Sequence, residues 1–161
     1  LVASLRPPVE RMVLLSRMEE EVHLNGVQAN LGAAQYPGVI SPAGFQYLHD
    51  FRLDPFPTWR FAVGEGLVTK RLFLRHGYQT AVLRYESDTR CRLRVRPFLA
   101  CRDYHSLRRG TEGFSIGPLR LHNNAAGFVP DAHWYWRNQY AVEQERGLDF
   151  EEDLWSPGWY D

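Results

Sequence analysis

The sequence predicts an all-β fold, an antiparallel β-sandwich with little helix. Three observations point there. Side chains alternate in character with period two along several stretches, the breaks between them carry tight-turn residues, and no heptad run is present. The clearest block is YPGVISPAGFQYLHDFRLDPFPTW, Tyr36 to Trp59. Phe45, Tyr47, His49, Phe51 and Leu53 share one face of an extended strand there, with Gln46, Leu48, Asp50 and Arg52 opposite. Pro37-Gly38 and Pro42 precede it, and Asp54-Pro55-Phe56-Pro57, lacking two amide donors, stops it.

The remaining elements follow in chain order. RMVLLSR is apolar on both faces, as expected of a strand covered by both layers or by a partner, and the charged run Glu19-Glu20-Glu21 is read as its end. Val22, Leu24 and Val27 flank Asn25-Gly26, whose positive φ angles suit a hairpin turn. Thr58 to Val63 puts Trp59, Phe61 and Val63 on one face, and Gly64-Glu65-Gly66 turns the chain. Leu67 to His76 and Tyr78 to Ser87 form the next hairpin around Gly77, with Ala81, Leu83 and Tyr85 inward.

Arg90, Arg92, Arg94 and Arg96 then form a row, with Cys91, Leu93 and Val95 on the other face. This strand is expected to pair with the preceding one through a loop of about three residues around Asp88, which brings Glu86 and Tyr85 near Arg92 and Cys91. The row reads as a solvated face opposite Glu86, or as a contact to a neighbouring domain. Arg108 to Pro130 reads as short strands and long loops, Ala132 to Val142 resumes alternation, and a helical turn is expected near Glu143 to Arg146. The acidic tail that follows reads as a solvated lead into a linker.

Composition narrows the function. The 161 residues suit one domain with a sandwich core, residues 1–161. A formal net charge of +0 gives no field to recruit nucleic acid or an anionic membrane, and no apolar run approaches the roughly 20 residues of a spanning helix. Arginine outnumbers lysine, Lys70 being the only one, which reads as coding bias or a thermally selected surface. Cys91 and Cys101 in one strand would lie about 33 Å apart, so reduced thiols and a cytoplasmic location are expected. The six histidines are scattered without zinc-site spacing, and no phosphate loop, nucleophile elbow or dinucleotide fingerprint occurs, so neither metal nor cofactor is expected.

Two groups of residues are candidates for substrate binding. Arg102, Asp103, Tyr104 and His105 follow a strand ending at Cys101 and combine a cation, a carboxylate, an aromatic hydroxyl and an imidazole, side chains suited to sugar hydroxyls and ring faces. The same residues could instead pair with one another to fix their loop. Asp54, Phe56 and Trp59 form an aromatic turn that could touch a substrate or serve the core. Trp134, Tyr135 and Trp136 alternate in face, so at least one lies outside the core. Asp149, Glu151, Glu152 and Asp153 supply carboxylates, but same-side residues of a strand cannot approach a sugar from two sides, so no catalytic residue is assigned.

Five blocks carry a family resemblance: the Tyr36 to Trp59 block, PPVERMVLLSRMEE, KRLFLRHG, RPFLACRDYHSL and RGLDFEEDLWSPG. In this order they resemble the N-terminal domain of the prokaryotic-type glycogen debranching enzymes, the amylo-α-1,6-glucosidases. The resemblance implies a β-supersandwich followed by a helical (α/α)6 barrel that carries the catalytic carboxylates and acts without metal or organic cofactor. It implies two partners, that C-terminal helical catalytic domain and an α-glucan such as glycogen or limit dextrin. The family's earlier Gly-rich turn and Arg-Arg-Tyr-His-Gly-type strand have no counterpart here, which predicts an unpaired sandwich edge and self-association of the chain. Two rival readings stay open, an independent α-glucan-binding module and a stand-alone sugar-active enzyme on a supersandwich fold.

Overall fold

A computed structural model describes residues 1–161. Its strands are β1 (Val2–Arg6), β2 (Val9–Leu24), β3 (Val27–Asn30), β4 (Ala33–Tyr36), β5 (Val39–Ala43), β6 (Leu48–Arg52), β7 (Thr58–Val63), β8 (Gly66–Leu74), β9 (Ala81–Ser87), β10 (Arg92–Asp103), β11 (Phe128–Gln139) and β12 (Glu151–Tyr160). The only helical pieces are a 3-10 turn, Gly44–Tyr47, and α1, Ala141–Glu145. The larger sheet runs β1-β2-β10-β12-β11-β4-β5, with β3 also paired to β2, and the smaller runs β6-β7-β8-β9. Neighbours are antiparallel throughout.

Several turns form where their residues direct. Leu24 faces Val27 across Asn25-Gly26, both at positive φ (48° and 81°), the geometry of a tight hairpin with the native twist. Val63 faces Gly66 across Gly64-Glu65, and Tyr36 faces Val39 across Pro37-Gly38.

The sheets meet over β2 and β3. Val22, Leu24, Ala29 and Leu31 of the larger sheet and its turns pack on Phe61, Val63 and Val68 of the smaller. Further along β10 the alternation serves two cores. Phe98 and Ala100 pack with Leu154 beside Tyr135, while Leu99 and Cys101 turn the other way onto Leu14, Leu15 and Leu119. Both cysteines are free, and Cys91 lies outside β10.

Four expectations about the strands are corrected. The glutamate run does not end β2: Glu19, Glu20 and Glu21 lie inside it, opposite Arg96, Val95 and Arg94 of β10. The charges are accepted because each finds a partner: Glu20 meets Lys70 and Tyr85 of the other sheet, Glu21 meets Arg94, His23 and Gln28, and Glu19 meets Asn30. The stripe from Phe45 is only half a strand, since Gly44–Tyr47 closes as a 3-10 turn and β6 begins at Leu48. Glycine at position 44 permits the close approach of this turn to the neighbouring chain, since a Cβ there would stand 2.2 Å from the Leu31 carbonyl carbon. Nor do β9 and β10 form a hairpin. Asp88 binds the Leu67 backbone N–H through its side chain at 2.8 Å, and the chain then crosses to the other sheet to pair with β2 and β12. No strand forms between Tyr104 and Gly127, where the expected short strands are loop packed through Phe114, Leu119 and Leu121 over the core.

The far half of the arginine row and the acidic tail are corrected for one reason, burial in the larger sheet, whereas Arg90 and Arg92 stay exposed as a solvated face. Arg96 is only 3% exposed, pairs with Asp131 and lies over the Trp159 ring at 4.3 Å, while Arg94 stacks on that ring at 4.9 Å and reaches Glu21 at 3.1 Å. The tail folds as β12, held between β10 and β11, with Glu152, Asp153, Leu154 and Ser156 buried. The helical turn expected near Glu143 is α1.

Candidate functional site

The end of β10 builds the first candidate site. Register with β2 shifts between Leu99 and Arg102, and Cys101 there takes φ 45°, a bulge that re-aims the following side chain. Arg102 consequently grips the fully buried Glu152 of β12, through Nε to Oε1 and through Nη2 to Oε2 at 3.2 Å. Tyr140 donates to the same carboxylate at 2.5 Å, and the Arg108 backbone N–H donates at 3.2 Å. Burial, then the charge of Glu152, pushes the Tyr140 hydroxyl up to about 12. Arg102 Nη1 also donates to the Asp103 and Tyr104 carbonyls at 3.0 and 3.3 Å.

Asp103 does not pair with Arg102. Its Oδ1 accepts the His105 backbone N–H at 2.8 Å and lies 3.1 Å from the ring Nδ1, and these His105 contacts hold its carboxyl below the usual range. Tyr104 and His105 remain exposed, their rings edge to face at 5.4 Å, with the Arg11 guanidinium 4.7 Å from the Tyr104 centroid. A rigid base thus presents an aromatic hydroxyl, an imidazole and a cation to solvent.

Trp59 belongs to a different feature. It lines a cavity of about 300 Å³ between the sheets, with Arg17, Glu20 and Lys70 on its polar side and Phe45, Leu48 and Phe61 on its apolar side. Lys70 and Tyr85 both donate to Glu20 Oε1 at 2.6 Å, and burial followed by the Glu20 charge pushes the Tyr85 hydroxyl well up. Phe51 packs on Trp59 at 5.2 Å, whereas Phe56 leaves that group for Phe73 at 5.3 Å. Asp54 is exposed in the turn between β6 and β7. The structure therefore joins Arg102, Asp103, Tyr104 and His105 and sets Trp59 in a separate cavity.

Sequence reasoning missed Arg11, Glu20, Lys70 and Glu152 as parts of these sites. Parity held one signal: Glu20 shares its strand face with Val22 and Leu24, which marks the buried side once the strand is carried through the glutamates. Of the adjacent aromatics, Trp134 and Trp136 stack at 5.5 Å with Trp136 exposed, and Tyr135 turns onto Phe98.

The carboxylates of the former tail are all engaged. Asp149 and Glu151 bind Arg109, Glu151 also binds Arg137, Glu152 binds Arg102, and Asp153 accepts the Gly110 and Arg137 backbone N–H groups at 2.7 and 2.8 Å. No group of three or more His, Cys, Asp or Glu side chains is placed to hold a metal, and no helix is long and apolar enough to cross a membrane.

Fold and site together define an antiparallel β-sandwich whose buried ionic groups tie strands to one another and whose free polar and aromatic groups sit at a loop and a cavity. The chain belongs to the family described as glycogen debranching enzyme N terminal, whose family model matches residues 1–161. No curated protein and no solved structure matches it.

Proposed function

We propose that this chain is a non-catalytic N-terminal domain of an amylo-α-1,6-glucosidase, acting in the cytoplasm in glycogen degradation. It supports a helical catalytic domain of the same protein and helps to position α-glucan. The observation that carries this reading is the family match across residues 1–161. The engagement of Glu151, Glu152 and Asp153 with arginines and backbone supports leaving cleavage to the partner domain, because a glycosidase needs an acid and a base free to face the scissile bond.

In this reading Arg102 and Asp103 hold the loop, while Tyr104 and His105 meet the sugar. Placement matters because small displacements of a bound substrate change rate steeply. The test is glucose release from a branched limit dextrin. The isolated chain releases none, and in the full-length enzyme Tyr104→Ala with His105→Ala raises KM while leaving the melting temperature in place. Glucose release by the isolated chain, or unchanged kinetics of the double variant, would refute the reading.

A further inference from the structure

We infer that the cavity between the sheets is a second saccharide site, which takes one pyranose of an α-glucan away from the β10 loop. Its polar side is built. Glu20 is only 2% exposed, and both hydrogen bonds it receives from Lys70 and Tyr85 fall on Oε1, which leaves Oε2 without a protein donor. That oxygen is not shut off from solvent, so a ligand hydroxyl would donate to it in place of water. Lys70 uses one of its three N–H bonds on Glu20 and keeps the others for an acceptor in the cavity.

The apolar side is equally specific. Trp59 and Phe61 form the wall, and Phe45, 54% exposed, stands at the rim on the 3-10 turn that Gly44 pins against Leu31. The combined chemistry selects the ligand class. An anion meets the Glu20 carboxylate, a cation meets Lys70 and Arg17, and a hydrocarbon leaves Oε2 and the free N–H groups without partners. A neutral ring with hydroxyls on its edge and C–H groups on its face satisfies every wall, and about 300 Å³ lies at the small end of ligand cavities. That ring is a pyranose. The choice of α-glucan among saccharides rests on the proposed function, whereas the cavity's chemistry stands without it.

The test is titration of the 161-residue chain with maltotriose and with cellobiose, followed by tryptophan fluorescence and calorimetry. Maltotriose is expected to give a saturable signal that Trp59→Ala and Phe45→Ala each weaken by about tenfold, the scale of one aromatic contact, while Trp136→Phe leaves it unchanged. Thermal melts check folding, and Phe45→Ala, at an exposed rim, keeps the test valid should Trp59→Ala unfold. Absence of maltotriose binding, binding indifferent to both substitutions, or binding of cellobiose alone would overturn the proposal. Maltotriose binding lost in Tyr104→Ala but kept in Trp59→Ala would also overturn it, while leaving the proposed function standing.

Discussion

Removal of the Arg102 guanidinium tests the ionic tie beneath the β10 loop. Glu152 is fully buried, and Arg102 meets both of its oxygens with a side chain only 12% exposed. Breaking a buried pair from one side costs about 3 to 5 kcal/mol, because a charge is left without its partner. Here Tyr140 at 2.5 Å and the Arg108 N–H at 3.2 Å stay in place, so Arg102→Met is expected near the lower bound, about 3 kcal/mol. In a chain of this length that lowers the melting temperature by roughly 6 to 12 °C.

The double variant Arg102→Met with Glu152→Gln separates charge from packing. Gln keeps an acceptor for Tyr140 and the Arg108 N–H without the charge, so most of the loss should return. Calorimetry and urea unfolding supply the numbers, and hydrogen exchange at Tyr104 to Ser106 should quicken in the single variant, since Arg102 also holds the loop carbonyls. A fall of less than about 2 °C in the single variant, or no recovery in the double, would refute the reasoning.

Two further predictions concern stability. Gly44→Ala places a methyl 2.2 and 2.3 Å from the Leu31 carbonyl carbon and oxygen, backbone that cannot swing aside, so a loss of about 3 kcal/mol or more is expected in urea unfolding. A shift below about 1 kcal/mol would count against the close approach drawn there. At high pH, Tyr140 is raised to about 12 from an ordinary value of about 10, so its contribution is complete below pH about 10 and disappears as pH rises through about 12. Unfolding measured across that window should show up to about 3 kcal/mol more alkaline loss in the native chain than in Tyr140→Phe, and equal losses would remove Tyr140 as the cause.

Much of the candidate loop was legible because it is contiguous. Arg102 to His105 follow one another, but the strand expected to end at Cys101 runs on through Arg102 and Asp103, which pair with Val13 and Met12, so only Tyr104 and His105 lie in the turn. The cavity was not legible. Trp59 stood out as an aromatic beside a proline turn, but its polar companions are Glu20 and Lys70, and a run of three glutamates reads locally as a strand end. The arginine row was half legible: Arg90 and Arg92 are exposed, but its spacing could not show that Trp159 would cover Arg94 and Arg96 or that Asp131 would pair with Arg96.

The sequence by itself determined the two-residue rhythm of the strands, the inward Trp59, Phe61 and Val63 face, and the hairpins at Asn25-Gly26 and Gly64-Glu65, since each depends on dihedral preferences and neighbours within a few residues. Tertiary structure alone decided which strands lie side by side and which charges are neutralised. Glu20 meets Lys70 across 50 residues of chain, Arg96 meets Asp131 across 35, and Arg102 meets Glu152 across 50. A buried ion is tolerable only beside its counter-ion, and the identity of that counter-ion exists only once the sheets have closed.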